Sequence, residues 1–289
     1  MMKTITGIPK LPPRRAESHK GDYGRVLVLG GSTGMAGAAA LAGMAALRAG
    51  AGLVTVGSPR GVYPIIASKL TCATTRPFPE TDAGTFSTAG LAEIVAFAEG
   101  FDVVALGPGL GRHADTTDFV CALAASLNKP MVIDADALNA LAEDPLFLKQ
   151  ASAPRVLTPH PGEMGRLAGL TIKEVQKARR QVSAWFARHY RALLVLKGNG
   201  TVVTDGTRSY LNTTGNPGMA TGGTGDVLTG VIAGLMAQRL EPFDAAVLGV
   251  YVHGLAGDLA AQKFGQVSLI ATDLLECLPQ AFLSVTKNV

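Results

Sequence analysis

Residues 216–235 read Asn216-Pro-Gly-Met-Ala-Thr-Gly-Gly-Thr-Gly-Asp226, then Val-Leu-Thr-Gly-Val-Ile-Ala-Gly-Leu235. The second half is an apolar run suited to a buried helix, and the first half is a glycine-rich turn leading into it. Glycines at 222, 223 and 225 let successive N–H groups point into one concavity, where the helix N-terminus adds partial positive charge. Gly222, Gly223, Thr224 and Gly225 therefore form a candidate anion cradle. Asp226, one residue beyond, sits beside any phosphoryl group held there and can accept the proton of an attacking hydroxyl. An aspartate in this setting ordinarily caps its helix. The glycines and threonines ahead of it favour the catalytic role. No Gly-Lys-Ser/Thr follows, so this is not a Walker loop.

The rest of the chain alternates short apolar runs with helical stretches. Residues 25–29 read as a strand ending in glycines, residues 36–49 as a helix and residues 53–56 as the next strand. The pattern recurs at 103–106, with a helix over 115–127, then at 131–133 and at 156–157. Such alternation predicts an α/β fold with a central, mostly parallel sheet covered by helices on both faces. Residues 193–196, 201–204 and 208–211 are separated by Asn199-Gly200 and Asp205-Gly206, which predict two tight hairpins and an antiparallel meander towards the C-terminal part. Helices are expected over 226–238, 244–262 and 271–285, and a basic helix over 173–191 with a solvated Lys173, Lys177 and Arg180 face. No repeat or linker interrupts residues 1–289, so a single domain is expected.

Composition narrows the functional class. With 289 residues and 47% apolar content the chain can bury a full core. The surplus of 26 basic over 22 acidic side chains is small and scattered, unlike a nucleic-acid groove. Cys72, Cys121 and Cys277 lie far apart and are odd in number, which disfavours a disulfide framework or paired-cysteine zinc site and suits a reducing cytoplasm. The N-terminus lacks a secretory apolar core, and the stretch 30–47 is too rich in Gly and Ala for a membrane span.

Further motifs follow in order along the chain: Ser18-His-Lys-Gly-Asp-Tyr-Gly-Arg-Val-Leu-Val-Leu-Gly-Gly-Ser32, Gly37-Ala-Ala-Ala-Leu-Ala42, Gly107-Pro-Gly-Leu-Gly111, Asp134-Ala-Asp-Ala-Leu-Asn139, Thr158-Pro-His-Pro-Gly-Glu163 and Lys197-Gly-Asn-Gly-Thr201. Together with the cradle they resemble the ADP-dependent NAD(P)H-hydrate dehydratases of the ribokinase-like superfamily, over nearly the whole chain. The resemblance implies a ribokinase-like fold and a role in metabolite repair. The S epimer of hydrated NADH or NADPH would return to NADH or NADPH at the expense of ADP, with magnesium, giving AMP and phosphate. It further implies that Gly37, Ala38, Gly109, Gly111, His160 and Asp226 meet the hydrated nucleotide. Lys197, Gly198, Asn199, Gly200, Thr201 and Gly225 would hold ADP or AMP. In ribokinase-like kinases a glutamate in a loop comparable to that of Glu163 holds magnesium through water; Asp134 is a weaker metal candidate. The family also implies a cytoplasmic homo-oligomer, a tetramer, working with an epimerase that the 289 residues leave no room to include.

Each of these residues has a plainer explanation. Gly31, Gly34 and Gly37 lack the dinucleotide spacing, and no acidic residue follows the second strand to meet a ribose. His160, between two prolines, can simply pack its loop, and Glu163 can complement a helix dipole. Asp134 and Asp136, two apart at a strand end, should face opposite ways. Asn199-Gly200 needs only a turn to explain it. At the level of the whole protein, the rivals are a small-molecule kinase acting on a vitamin-precursor alcohol and a non-catalytic nucleotide sensor.

Overall fold

The computed structural model describes residues 2–286. Ten strands form one sheet: β1 (Lys3–Ile5), β2 (Arg25–Leu29), β3 (Leu53–Pro59), β4 (Thr74–Phe78), β5 (Val103–Leu106), β6 (Met131–Ile133), β7 (Arg155–Leu157), β8 (Leu193–Leu196), β9 (Val202–Thr204) and β10 (Arg208–Leu211). Their order is β1-β10-β9-β8-β7-β6-β5-β2-β3-β4. All neighbours are parallel except β9, which runs antiparallel to both β8 and β10. The parallel sheet and the closing meander are both as expected, with β1 added along β10 as a further edge.

The strands are apolar on both sides because both sides are covered. Val26, Val28, Val103, Ala105, Val132 and Val195 pack beneath the helices Ala36–Arg48, Thr224–Ala237, Pro242–Phe264 and Ala271–Thr286. Their alternates Leu27, Leu29, Val104, Leu106, Ile133 and Leu194 face Leu91–Ala98, Ala114–Ser126, Ala135–Leu141, Pro161–Ala168 and Arg179–Tyr190. The period of two sends successive side chains to opposite cores. Among the described residues, no helix is long and apolar enough to cross a membrane.

Chain order reverses beside β2. β3 and β4 lie on one side of it, and β5 to β8 continue on the other. Loops leaving the ends of strands that flank such a switch point splay apart and open a crevice for ligands. The loops after β2 and β5 do lie together: the Gly31 N–H donates to the Pro108 carbonyl at 2.8 Å.

The structure departs from expectation in four places. The lead-in contains β1, too short and polar to read as a strand, and β4, Thr-Thr-Arg-Pro-Phe, lacks the apolar pattern. The connection over residues 197–201 is five residues long, so Asn199-Gly200 is not a two-residue hairpin. The basic helix breaks at Ala178 into Ile172–Lys177 and Arg179–Tyr190. Beyond the break Trp185 turns outward and stacks on His189.

Helices Ala36–Arg48 and Thr224–Ala237 meet through small residues. A Cβ on Gly230 would lie 2.1 Å from the Ala42 carbonyl oxygen, and one on Gly234 would lie 2.6 Å from that of Ala46. Helix propensity alone favours alanine over glycine by about 1 kcal/mol. Gly230→Ala should nevertheless destabilise the protein by about 1–3 kcal/mol, because the added methyl pushes against backbone. Urea denaturation checks this; a variant as stable as the parent would mean that the two helices separate freely.

Candidate active site

The cradle begins where the backbone turns at Gly223, whose φ of 91° is a left-handed conformation that a side chain would strain. Helix Thr224–Ala237 starts immediately after it with no side-chain cap. Among the described residues, the N–H groups of Gly222, Gly223, Thr224, Gly225 and Asp226 donate no hydrogen bond within the protein. Five consecutive free amides at a helix N-terminus form an anion site. Asp226 is the third residue of the helix, and its carboxylate has no hydrogen bond or ion pair among the described residues, so it does not cap. Burial pushes its pKa up to about 7, with the Asp134 charge adding to the rise and Lys197 opposing it.

Behind Gly225 lies a buried ion pair. Lys197 Nζ is 2.6 Å from Asp134 Oδ1 and 3.8 Å from Glu163 Oε2. Thr229 Oγ1 donates to the other Asp134 oxygen at 2.8 Å. Burial works to lower the Lys197 pKa, but Asp134 and then Glu163 outweigh it and hold the ammonium above its ordinary value. Strand β6 ends at Ile133, and Ala135 takes a left-handed φ of 51°, rare for a residue with a side chain. This turn sends Asp134 towards Lys197 and Asp136 away from it. Asp136 accepts from the Gly111 N–H at 3.0 Å. The two aspartates thus serve different places, as their spacing implied, although the strand does not continue through them.

His160 is the N-cap of helix Pro161–Ala168. Its Nδ1 accepts from the Gly162 N–H at 3.0 Å, while Glu163 Oε2 accepts from the His160 N–H at 2.7 Å. This reciprocal pair is a capping box built from unusual residues. Burial, followed by the Lys197 charge, lowers the His160 pKa. Glu163 is buried, and burial pushes its pKa up to about 7 despite Lys197. The plainer roles of both residues are therefore met; the exposed edge of the imidazole remains available at the cavity.

That cavity, of about 810 Å³, is lined by His160, Lys197, Gly198, Asn199, Thr201 and the whole cradle through Asp226. The nucleotide-side candidates and the proposed base therefore share one space; Gly200 does not line it. Gly37, Ala38, Gly109 and Gly111 gather instead at the switch point. A Cβ on Gly109 would lie 3.1 Å from that of Ala38, and one on Gly111 would lie 3.7 Å from Met35 Cε. The cradle abuts this group, since a Cβ on Gly223 would lie 2.8 Å from Leu41 in the same helix as Gly37 and Ala38. A second recess of about 410 Å³ beside Gly111 includes Arg112, Asp136, Asn139 and Arg166.

Two supports escaped the sequence reading. His253 bonds through Nε2 to the Thr224 carbonyl at 2.9 Å and lines the cavity. Burial drops its pKa to about 4, so it is neutral at pH 7 and donates from Nε2. Asp258 accepts from the Gly215 N–H and the Asn216 side chain, both at 2.9 Å, anchoring the loop before the cradle. Both lie in the helix Pro242–Phe264, where no motif marks them.

Residues 26–280 match the NAD(P)H-hydrate dehydratase family. A bifunctional NAD(P)H-hydrate repair enzyme of Moorella thermoacetica is 51% identical over 97% of this chain. The chain covers 53% of that relative and spans about half the length of the bifunctional relatives it matches. An ADP-dependent (S)-NAD(P)H-hydrate dehydratase of Bacillus subtilis is 37% identical over 94% of each chain. A crystal structure of the ADP/ATP-dependent dehydratase from that organism, co-crystallised with ATP and Mg2+, superposes with a TM-score of 0.82 at 34% identity, covering 95% of this chain and 94% of that one. A ribokinase-like superfamily protein of Enterococcus faecalis reaches the same TM-score at 27% identity, covering 98% and 96%. On the strength of the match over residues 26–280, the chain belongs to the NAD(P)H-hydrate dehydratase family.

Proposed function

We propose that the protein is an ADP-dependent dehydratase that returns the S epimer of hydrated NADH or NADPH to the reduced nucleotide. The observation that carries this reading is the row of free amides from Gly222 to Asp226, ending in an unpaired carboxylate whose pKa is pushed up to about 7. A phosphoryl acceptor hydroxyl needs a base of this kind beside a cradle of this kind. ADP enters the cavity with its phosphates on the cradle and Gly225, and its remaining contacts along Lys197, Gly198, Asn199 and Thr201. The hydrated ring approaches from the switch-point side of Asp226, past Gly37, Ala38, Gly109 and Gly111, with His160 reaching it from the wall of the nucleotide cavity.

Asp226 accepts the proton of the ring hydroxyl, whose oxygen bonds to the terminal phosphorus of ADP as the bridge to AMP breaks. The ring-nitrogen lone pair then expels the phosphorylated oxygen as phosphate, and loss of a proton from the neighbouring ring carbon restores the double bond. Backbone amides hold the transferring charge in place, so positioning and electrostatics carry most of the acceleration. Magnesium fits as a companion of the nucleotide, because the nearby donor, Glu163, is a hard carboxylate oxygen that could reach it through water. When bound, it neutralises phosphate charge. Among the described residues, no group of three or more His, Cys, Asp or Glu converges to hold a metal unaided. Asp134 has both oxygens engaged, by Lys197 and Thr229, and we assign it no metal.

We further infer that the described residues form a single domain, with a cytoplasmic setting that suits three free cysteines and a homotetramer working alongside an epimerase activity. ATP would serve as donor where the cavity admits a third phosphate.

The reading is tested with hydrated NADH, magnesium and ADP, following the return of reduced-nicotinamide absorbance together with AMP and phosphate. Hydrate made in heavy-oxygen water should deliver its label to the released phosphate. Unlabelled phosphate, or a stable phosphorylated product as a kinase would leave, overturns the proposed coupling. Asp226→Asn keeps the shape and should lower turnover by about 10²–10⁴-fold with ADP affinity retained. A near-normal rate would remove Asp226 as the base.

Because Asp226 accepts a proton only when ionised, its raised pKa puts the loss of activity on the acid side. With ADP saturating, kcat/KM for the hydrate should fall as pH drops through about 7. A profile that stays level well into the acid range contradicts this assignment. His160→Asn keeps an acceptor for the helix cap and removes the ring, so it should raise the KM for hydrate by about tenfold with ADP affinity unchanged. Equal losses for both ligands would leave His160 a capping role only.

A further inference from the structure

One cation and several carboxylates crowd behind Gly225. The charged groups felt by Asp226 are Asp134 at the end of β6, Lys197 at the end of β8, Asp136 in helix Ala135–Leu141 and Glu163 in helix Pro161–Ala168. The lysine stem is flexible, and its ammonium would gain from pairing with any of these carboxylates. Given the base role assigned above, we propose that Asp134 is a positioning residue that captures Lys197 behind Gly225 and so keeps the ammonium from pairing with Asp226.

Three observations support it. Asp134 is held from several directions: its side chain is 1% exposed, its N–H donates to the Leu106 carbonyl at 3.0 Å, and Thr229 holds the oxygen that Lys197 leaves. The left-handed turn at Ala135, rare for a residue with a side chain, sends the Asp134 and Asp136 carboxylates apart. Gly225 leaves space for the pair, because a Cβ there would lie 3.2 Å from Lys197 Nζ and 3.5 Å from Asp134 Oδ2. As a result Lys197 sits at 2.6 Å from Asp134, and among the described residues Asp226 pairs with no cation.

The consequence for the base has a definite sign. A lysine paired with Asp226 would stabilise the ionised form and make it a weak proton acceptor. Captured by Asp134 it does so only from a distance, while the Asp134 charge pushes the other way. Both effects favour proton uptake by Asp226. Loss of the Asp134 charge alone would lower the Asp226 midpoint by the same amount with or without Lys197, whereas release of Lys197 lowers it further only where the lysine is present, so the shift caused by Asp134→Asn should be larger in the parent than in Lys197→Met, and equal shifts overturn the proposal.

The test uses full-length protein labelled with carboxyl-13C aspartate, free of nucleotide and metal, with the Asp226 resonance identified by its loss in Asp226→Asn. In the parent protein the midpoint of Asp226 should lie near 7. In Asp134→Asn, which keeps an oxygen for Thr229 but loses the charge, it should move down by about one pH unit or more. Turnover by the variant should fall about tenfold, as a weaker base implies, with ADP affinity retained. Asp134→Ser, smaller and also uncharged, gives the same expectation should the asparagine variant not fold. An Asp226 midpoint unchanged or higher in the folded variant overturns the proposal, as does a parent midpoint in the ordinary carboxylate range near 4. This titration needs no turnover, so failure of the parent protein to dehydrate the hydrate would count against the dehydratase reading alone.

Discussion

The close contact between helices Ala36–Arg48 and Thr224–Ala237 governs the arrangement of the site. Gly230 lies against Ala42 and Ala45, and Gly234 against Ala46 and Ala49, so residue numbers rise together and the helices run parallel. Their N-termini therefore open on the same edge of the sheet, side by side. One carries the cradle and the other carries Gly37 and Ala38. Two partial positive charges at one edge repel each other in the empty protein and are both satisfied by phosphate-bearing ligands. Larger residues at the contact would spread the helices and part the two halves of the site.

Electrostatics refine what packing brings together. Burial alone would neutralise carboxylates here, and Asp226 and Glu163 are both pushed up to about 7. The ion pair between Lys197 and Asp134 is the fixed element, since Asp134 is buried, Lys197 is mostly covered beside it and Thr229 completes the carboxylate. Removing one partner of such a pair leaves a stranded charge, a larger penalty than the pair's own net worth. The site thus combines one rigid charge pair with two carboxylates whose pKa values burial raises.

Much of this was legible in the sequence, for reasons tied to particular residues. The apolar runs at Arg25–Leu29, Val103–Leu106, Met131–Ile133 and Leu193–Leu196 became strands because both faces are buried and no other element accommodates such runs. The cradle could be read because free amides at a helix start demand glycine at fixed positions. Strand β4 was hidden because an edge strand need not be apolar, and the role of Arg155 was hidden for a similar reason. Its buried guanidinium donates to the carbonyls of Ala124, Leu127, Lys129 and Ala153, closing the end of helix Ala114–Ser126. Nothing local distinguishes such a residue from a surface arginine, and burial lowers its pKa to about 10. His253 and Asp258 were hidden because their partners lie 29 and 43 residues away.

The reversed strand β9 has a consequence for how such a site can change. Had β8 been followed by another parallel strand, its chain would have left the ligand edge and returned through a crossover a dozen or more residues long. Because β9 doubles back, residues 197–201 stay at the edge as a short hairpin tied down by Arg179, which donates to the carbonyls of Leu196, Lys197 and Gly200. This wall of the cavity is therefore modular. A residue gained or lost in this hairpin would reshape the cavity while the parallel strands and the two parallel helices keep their places.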